Sequence, residues 1–265
     1  MAIVIVTEKT SQMTDKIWEM SALEAHGLLK KKKISAKEIL ESSIERIEEV
    51  DGDLNALPEK CFDRARKLAV RIDKGLCPRT PTDLLGLPIA VKDYNDLSGV
   101  RTTYGSTIFR NNVPKESDRT IKILERNGAN PVAKSNVPEW AGGHTFNPVN
   151  GLTRNPWNLS KSAGGSSGGS ASALASGQVF LATGNDLGGS LRTPAGFNGI
   201  VGLRPSPGLI PRGERYMPFD MLWVEGPMAR TVEDVALMLD SMAGHDIGDP
   251  LSFPSSSGKF IDSLK

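Results

Sequence analysis

The sequence has few residues of the kinds that build disulfide frameworks, metal centres and histidine-based active sites. Its 265 residues include only two cysteines, Cys61 and Cys77, and three histidines, His26, His144 and His245. Two cysteines do not make a disulfide framework, and neither has a typical metal ligand beside it in the sequence. The sequence therefore predicts neither a disulfide-stabilised protein nor a cysteine-based metal centre.

Long hydrophobic runs and a strong charge of one sign are also missing. The apolar run at residues 2–6 is too short for a signal peptide, and no window approaches a membrane span. The 32 basic and 31 acidic residues leave a net charge of +1, which gives no electrostatic argument for nucleic acid or an anionic membrane. The basic run at residues 30–33 is interpreted as a solvated loop. We therefore expect a cytoplasmic protein that binds neither nucleic acid nor a membrane.

Short apolar runs alternate with amphipathic patterns along the chain, which has an ordinary globular composition of 38% hydrophobic and 24% charged residues. Ser35 and Glu38 form a capping box that predicts the start of a helix. Alternating strands and helices predict an α/β fold with a mixed, largely buried sheet flanked by helices. The predicted helices cover residues 35–50, 61–73 and 120–127 and a segment after Thr231, and the predicted strands cover residues 87–91, 131–134, 178–183 and 200–203.

Residues 162–177, SAGGSSGGSASALASG, consist almost entirely of glycine, serine and alanine. A flexible linker of this composition normally lacks a helix-forming segment such as SASALAS. A phosphate-binding loop needs a lysine where Ser170 stands, and a strand before its glycines. Gly165, Ser167 and Gly169 match the G-x-S-x-G pattern of a hydrolase nucleophile elbow, but NPWNLSKSA before them is not interpreted as a strand. A compact helix of small residues is the favoured interpretation.

Ser190 is better placed to act as a nucleophile, because it follows a predicted strand and a glycine-rich turn. Backbone N–H groups in such a turn can converge on one point, as in an oxyanion hole. Lys92, at the end of an apolar strand, is the candidate base, since burial lowers the pKa of a lysine; a strand-end lysine that extends to water is the alternative. His245 lies in a polar helix end, and Ser256 and Lys259 match S-x-x-K only in a coil-like tail.

Residues 164–206, GGSSGGSASALASGQVFLATGNDLGGSLRTPAGFNGIVGLRPS, resemble the signature of the amidase signature family of serine amidohydrolases. Four other segments resemble the family in the expected order: SAKEILESSIERIEEVDGDLNAL, GLPIAVKDYNDLSGVRTTYGS, AKSNVPEWAGGHTFNPVNGLTRNPWNLSKSAGG and EGPMARTVEDVALMLDSMAG. The resemblance covers nearly the whole chain. It implies the amidase signature fold, hydrolysis of a small-molecule amide, and no metal or cofactor.

The resemblance also implies a Ser–cis-Ser–Lys triad made of Ser190, Ser166 and Lys92, with a cis peptide bond before Ser166. Neutral Lys92 would take a proton from Ser166, which would take one from Ser190. Ser190 would then attack the amide carbonyl, and water would hydrolyse the acyl-enzyme. The resemblance assigns the oxyanion hole to the N–H groups of Leu187, Gly188, Gly189 and Ser190.

Supporting roles follow from the same resemblance. Asp186 and Arg192 would shape the turn, although a simple ion pair also explains them, and Ser167 would support the network around Lys92. His144 is compatible with a substrate contact or with a plain loop histidine. The segment WAGGHT would line the acyl side of the site, through the candidate residues Ala141, Gly142, Gly143 and His144.

The sequence departs from the family pattern in two ways. Asn185 stands where many members have Ser or Thr, and we expect it to adjust the turn without touching the triad. Members are usually much longer, with a C-terminal half that lines the substrate pocket. We therefore expect a single amidase domain over residues 1–265, with a helical N-terminal segment at about 1–75, a signature core at about 84–245 and the usual C-terminal half absent.

Two other functions stay open. The glutaminase subunit of a tRNA-dependent amidotransferase belongs to the same family, but such members tend to have Gln after the signature Arg, whereas Thr193 follows Arg192 here. A shortened and catalytically impaired amidase, or a binding module, is the other alternative, and it would expose apolar surface. A homo-oligomer is compatible with the sequence, which does not identify the amide substrate.

Overall fold

The computed structural model of the chain describes residues 17–213, 217–255 and 258–264. The apolar run at residues 2–6 and Ser256 of the S-x-x-K match lie outside the described residues. The helices are α1 (Ala22–Lys30), α2 (Ala36–Leu54), α3 (Phe62–Asp73), α4 (Arg119–Arg126), α5 (Gly168–Ala175), α6 (Arg192–Asn198) and α7 (Val232–Met242), with short 3-10 segments at Ile17–Glu19, Thr107–Phe109, Glu139–Ala141 and Phe260–Leu264.

A six-stranded sheet forms the centre of the described part of the chain. Its strands, in spatial order, are β1 (Glu59–Lys60), β3 (Asn130–Ser135), β2 (Pro88–Lys92), β8 (Leu181–Asp186), β10 (Val224–Ala229) and β9 (Val201–Gly202). The three central strands β3, β2 and β8 are parallel, and the outer pairings are antiparallel. The mixed, largely buried sheet predicted from the sequence is confirmed.

Helices cover both faces of this sheet. One hydrophobic cluster joins α1, α4 and α7 to side chains such as Ile89, Val91 and Leu181. A second cluster joins α2, α3 and α5 to Ala90 and Ala182 on the opposite face. Successive strand residues thus alternate between the two clusters, as the pleat of a β-strand requires. Lys92 follows this alternation and points to the face that α5 covers.

The chain enters β8 later than the sequence predicts, at Leu181 instead of Gln178. The residues after α5 complete the end of that helix, because Gln178 N–H donates to Ala173 O at 2.9 Å and Gly177 adopts φ +77°. At its other end β8 continues through Asp186, since β10 pairs with the backbone of these polar residues. Backbone pairing therefore extends the strand beyond its apolar residues.

The segment NPWNLSKSA, which the sequence did not predict as a strand, does contain one. β6 (Arg154–Asn155) and β7 (Asn158–Ser162) form an antiparallel two-stranded hairpin outside the main sheet. Its largely exposed, polar residues give no apolar alternation, so the strand signal is missing from the sequence. A second short pair, β4 (Phe146–Asn147) and β5 (Gly151–Leu152), is also separate from the main sheet.

Small residues let α5 lie directly against the sheet. Seven of its eight residues are buried, and a Cβ added to Gly169 would collide with the backbone nitrogen of Asn136. The hydroxyl of Ser170 donates to Thr183 O at 2.8 Å. The glycine–serine stretch is therefore a closely packed helix, as the favoured interpretation of its sequence predicted.

We expect Gly169→Ala to lower the free energy of unfolding by about 1–3 kcal/mol or more, because the new methyl group meets rigid backbone. Gly27→Ala is the matched control in helix α1. Its added Cβ would meet nothing within 4 Å, so better helix propensity should stabilise the protein by up to about 1 kcal/mol. Urea unfolding of both variants measures the difference, and equal effects would contradict the packing assigned to α5.

Candidate active site

Lys92 ends β2 inside the protein, with no exposed surface. Its Nζ lies 2.8 Å from Ser166 Oγ, 2.7 Å from Ser167 Oγ and 2.6 Å from Asn185 Oδ1. The backbone N–H of Lys92 donates to Thr183 Oγ1 at 2.8 Å, which fixes the end of the strand. The alternative of a strand-end lysine that extends to water is therefore wrong.

The surroundings of Lys92 favour its neutral form. Burial lowers the pKa of Lys92 from 10.5 to about 7, although the negative charges of Glu225 and Asp186 oppose this effect. A lysine with a pKa near neutrality has a substantial fraction of free amine at pH 7 and can accept a proton. The arrangement can therefore supply a general base.

Ser166 and Ser167 lie in the turn that leads into α5, and both are buried. The peptide bond between Gly165 and Ser166 is cis. A Cβ on Gly165 would collide with Gly143 O, so only glycine fits where these two loops cross. The hydroxyls of both serines reach Lys92 Nζ from this turn.

Ser190 lines a cavity of about 490 Å³, whose wall also includes Gly165, the residue before Ser166. It follows the turn after β8 and precedes α6. Among the residues that the structure describes, no hydrogen bond joins the hydroxyls of Ser166 and Ser190. The lining of the cavity is formed by Trp140, Ala141, Gly143, His144, Ser162, Gly164, Gly165, Leu187, Gly188, Ser190, Thr193, Phe197 and Trp223.

Asp186 holds the turn before Ser190. Its carboxylate accepts hydrogen bonds from Gly189 N–H at 2.8 Å and Leu191 N–H at 3.1 Å. Arg192 donates to both carboxylate oxygens, at 3.0 and 3.1 Å, and Arg204 donates to the carboxylate and to the carbonyl of Asp186. Burial by itself would raise the pKa of Asp186, but these bonds outweigh it and lower the pKa to about 2.

The hydrogen bond from Gly189 changes the expected oxyanion hole. The sequence-based assignment included the Gly189 N–H group, yet this group already donates to Asp186. Leu187 and Gly188 are exposed and line the cavity, as does the partly buried Ser190. The N–H groups of these three residues are therefore the ones to consider as donors to a substrate oxygen.

The 140–144 loop forms the opposite wall of the cavity. Ala141, Gly143 and His144 line the cavity, whereas Gly142 is exposed and is not part of its lining. Trp140 and Ala141 have φ values of 53° and 59°, which non-glycine residues seldom adopt. Tyr94 holds this conformation, because its hydroxyl donates to Pro138 O and accepts from Ala141 N–H at 2.7 Å.

Two residues of the site were missed or misjudged from the sequence. Asn185 does touch Lys92, since its Oδ1 lies 2.6 Å from Lys92 Nζ, and the expectation that it would not contact the predicted triad residues is wrong. Its position at the end of β8 could have suggested this, because the ends of parallel strands meet at one edge of a sheet. Tyr94 places its ring centroid 5.1 Å from Lys92 Nζ and fixes the opposite wall.

A second cavity of about 490 Å³ adjoins the first, and they share Trp140, Ala141 and Trp223. Its other lining residues are Tyr94, Tyr104 and Phe109. Edge-to-face contacts join these rings, with centroids 5.0 Å apart for Tyr104 and Phe109. The Ser190 cavity therefore opens onto an aromatic surface.

The other candidates lie apart from this site. His245 Nδ1 is 3.2 Å from Ser252 Oγ, so the late histidine that the G-x-S-x-G interpretation requires contacts a different serine. Within residues 17–213, 217–255 and 258–264, no group of three or more His, Cys, Asp or Glu side chains is placed to hold a metal ion. Nor does any helix in these ranges have the length and apolar content needed to cross a membrane.

Comparison with known proteins identifies the family of the chain. The sequence profile described as Amidase matches residues 38–265. The chain belongs to the amidase signature family. It is 41% identical over 234 residues to a glutamyl-tRNA(Gln) amidotransferase subunit of Cyanothece sp. (strain PCC 7425 / ATCC 29141), an alignment that covers 88% of this chain and 48% of that protein.

Solved structures of this family share the fold. A bacterial aryl acylamidase of the amidase signature enzymes is 34% identical, with a TM-score of 0.85 over 92% of this chain and 51% of the other. A 6-aminohexanoate cyclic dimer hydrolase complexed with substrate is 30% identical, with a TM-score of 0.85 over 94% of this chain and 51% of the other. The chain thus spans about half the length of the relatives that it matches.

We expect Asp186→Asn to lower the free energy of unfolding at pH 7 by about 2 kcal/mol, because Arg192 and Arg204 lose their charged partner. The folded-state pKa of Asp186 lies below its ordinary 3.8, so its stabilisation is present above pH 3.8 and disappears as the pH falls towards 2.

The free energies of unfolding of Asp186→Asn and of the wild type, measured between pH 7 and pH 2, should therefore converge at the acid end of this range. Asp53→Asn, at an exposed position near the end of α2, is the control and should have little effect. A constant difference between Asp186→Asn and wild type over the whole range would contradict this role for the carboxylate.

Proposed function

We propose that the chain hydrolyses a carboxamide through an acyl-enzyme on Ser190, with Lys92 and Ser166 as the proton relay. The observation that carries the proposal is the buried amine of Lys92, 2.8 Å from the Ser166 hydroxyl, beside the cavity that Ser190 lines. A serine hydroxyl is a weak nucleophile until a neighbouring base takes its proton. The depressed pKa of Lys92 makes it such a base near neutral pH.

In the proposed reaction, the Ser190 hydroxyl turns towards Ser166 once the substrate is bound. Lys92 Nζ takes the Ser166 proton while Ser166 Oγ takes the Ser190 proton, and Ser190 Oγ forms a bond to the amide carbon. The C–N bond breaks as the relay returns one proton to the departing amine. A water molecule then attacks the acyl group, and the acid and the Ser190 hydroxyl are released.

The turn after β8 supplies the groups that stabilise the negative charge on the carbonyl oxygen. We propose the N–H groups of Leu187, Gly188 and Ser190 for this role, because Gly189 N–H already binds Asp186. Ala141, Gly143 and His144 face the same cavity and would contact the acyl part of the substrate. Hydrogen bonds aimed at a developing charge lower the barrier by several kcal/mol in such sites.

A serine-directed fluorophosphonate should label Ser190, as read by mass spectrometry of the modified peptide. Ser190→Ala should remove the label, whereas Ser160→Ala, on the exposed β7 strand, should leave it unchanged. Circular dichroism checks that each variant is folded. A folded wild-type chain that takes up no label would contradict the proposal and favour the alternative of an impaired amidase or a binding module.

The rate of labelling should rise with pH and reach half its maximum near pH 7, because only neutral Lys92 can accept the proton. Lys92→Met should lower the plateau rate at least about 100-fold, in line with loss of a general base. Rates measured from pH 5 to pH 9 provide the test. A rate that does not change across this range would remove Lys92 from the role of base.

A glutaminase-type subunit of a tRNA-dependent amidotransferase is the second candidate. The observation in its favour is that the curated relatives, at about 40% identity, are named as glutamyl-tRNA(Gln) amidotransferase subunits. It would add partner subunits and a tRNA, in contrast to the sequence-based expectation of no nucleic-acid partner. Against it stands Thr193, which faces the cavity at the position after Arg192 where such subunits tend to have Gln.

Ammonia release from L-glutamine, compared with release from butyramide, separates the two candidates. The first candidate predicts no preference for glutamine over this simple primary amide. At least tenfold faster release from glutamine would favour the amidotransferase candidate. The Ser190→Ala variant is the blank for both substrates.

A further inference from the structure

The side-chain amide of Asn185 contacts the amine of Lys92. Its Oδ1 lies 2.6 Å from Lys92 Nζ, and its backbone carbonyl lies 3.4 Å from the same atom. Asn185 is only 2% exposed, and its Nδ2 has no hydrogen-bond partner among the described residues. The contact with Lys92 is therefore the side-chain hydrogen bond that orients this amide.

The number of donors and acceptors around Lys92 determines what Asn185 contributes. A neutral amine has two N–H donors and one lone pair, whereas an ammonium group has three donors. The Asn185 Oδ1 atom can only accept, while the hydroxyls of Ser166 and Ser167 can donate or accept. One N–H of neutral Lys92 must therefore point at Asn185, and the lone pair is left for a serine hydroxyl.

This allocation suits proton transfer from Ser166. Neutral Lys92 donates to Asn185 Oδ1 and Ser167 Oγ and accepts from the Ser166 hydroxyl. After the transfer, the three N–H groups of the ammonium point at Asn185, Ser167 and Ser166. In both states every N–H group and lone pair of Lys92 Nζ has a partner, with the heavy atoms unmoved.

We propose that Asn185 is a positioning residue that orients the Lys92 amine, so that its lone pair faces Ser166 and its protonated form stays bound. This inference rests on the proposed function, since it explains how the base of that reaction is aligned. Asn185 acts through Lys92 and has no need to contact the substrate.

Other ionisable groups lie near Lys92 and influence its titration, so a test of Asn185 must leave them unchanged. Glu225, on β10, pairs across the sheet with Asn185, and Asp186 follows Asn185 on β8. The centroid of the Tyr94 ring lies 5.1 Å from Lys92 Nζ. Asp93 and Lys134 pair with each other on the other face of the sheet, at 3.2 Å. Substitutions confined to Asn185 leave all of these groups in place.

Two substitutions of similar size separate positioning from a purely structural role. Asn185→Asp puts a carboxylate against Lys92 and should move its titration midpoint up by about 1–3 pH units. Asn185→Leu removes the acceptor, destabilises the ammonium form and should move the midpoint down. A purely structural role would lower the labelling rate in both variants without opposite shifts.

The midpoint is measured in two ways, by the pH dependence of fluorophosphonate labelling and by the ¹³Cε chemical shift of Lys92, assigned with Lys92→Met. Asn158→Asp is the matched control, because it adds the same charge on the exposed β7 strand and keeps the acceptor for Ser160 N–H. This control should change neither the midpoint nor the rate. Asn185→Thr supplies a hydroxyl acceptor that Asn185→Leu lacks. Its midpoints, by labelling and by ¹³Cε shift, should therefore lie closer to wild type than those of Asn185→Leu.

Opposite shifts of the ¹³Cε midpoint in the two variants would support the inference, even if no chain takes up the label and the proposed hydrolysis fails. Equal midpoints in wild type, Asn185→Asp and Asn185→Leu would overturn the inference, even if wild-type labelling succeeds. If Asn185→Asp does not fold, the Asn185→Leu variant is the test: a lower ¹³Cε midpoint than wild type supports the inference, and an unchanged midpoint overturns it.

Discussion

The structure depends on a primary amine buried where no water can reach it. Lys92 has no exposed surface, and each of its possible hydrogen bonds has to be made by the protein. Two separate parts of the chain meet this requirement, namely the turn before α5, through Ser166 and Ser167, and the end of β8, through Asn185. The parallel arrangement of β2 and β8 brings their ends to one edge, and α5 closes over it. The same environment that makes burial costly also lowers the pKa of Lys92 to about 7.

The glycine–serine composition of residues 162–177 follows from this closure. Gly165 passes against Gly143 O, and Gly169 packs on the backbone of Asn136, so neither position has room for a side chain. Serines serve here because a small hydroxyl can be buried if it is hydrogen-bonded, as Ser170 is to Thr183 O. A stretch that resembles a flexible linker in composition is among the most tightly packed parts of the protein.

Most of the framework could be predicted from the sequence, because apolar runs and capping residues report on burial and helix ends. The helix that begins after Ser35 and the strand that ends at Lys92 are examples. Apolar runs and capping residues say nothing about the contact of Asn185. Its position at the end of a predicted strand hints at the edge where parallel strands end, but its contact with Lys92 depends on the pairing of β8 with β2, which no local pattern encodes. The β6–β7 hairpin was missed for a related reason, since its exposed strands lack apolar alternation.

The turn between Asp186 and Leu191 has a consequence for the entropy of substrate binding. The carboxylate of Asp186 binds the amides of Gly189 and Leu191, and two arginines fix the carboxylate itself. The amides that would face a substrate oxygen are thus ordered by folding, before any ligand arrives. A flexible turn would lose conformational freedom on each encounter, at about 1–2 kcal/mol for every residue that becomes ordered. Here the conformational entropy of the turn is lost once, when the chain folds, so less of the binding free energy is needed to order the turn and more is available to align the reacting groups.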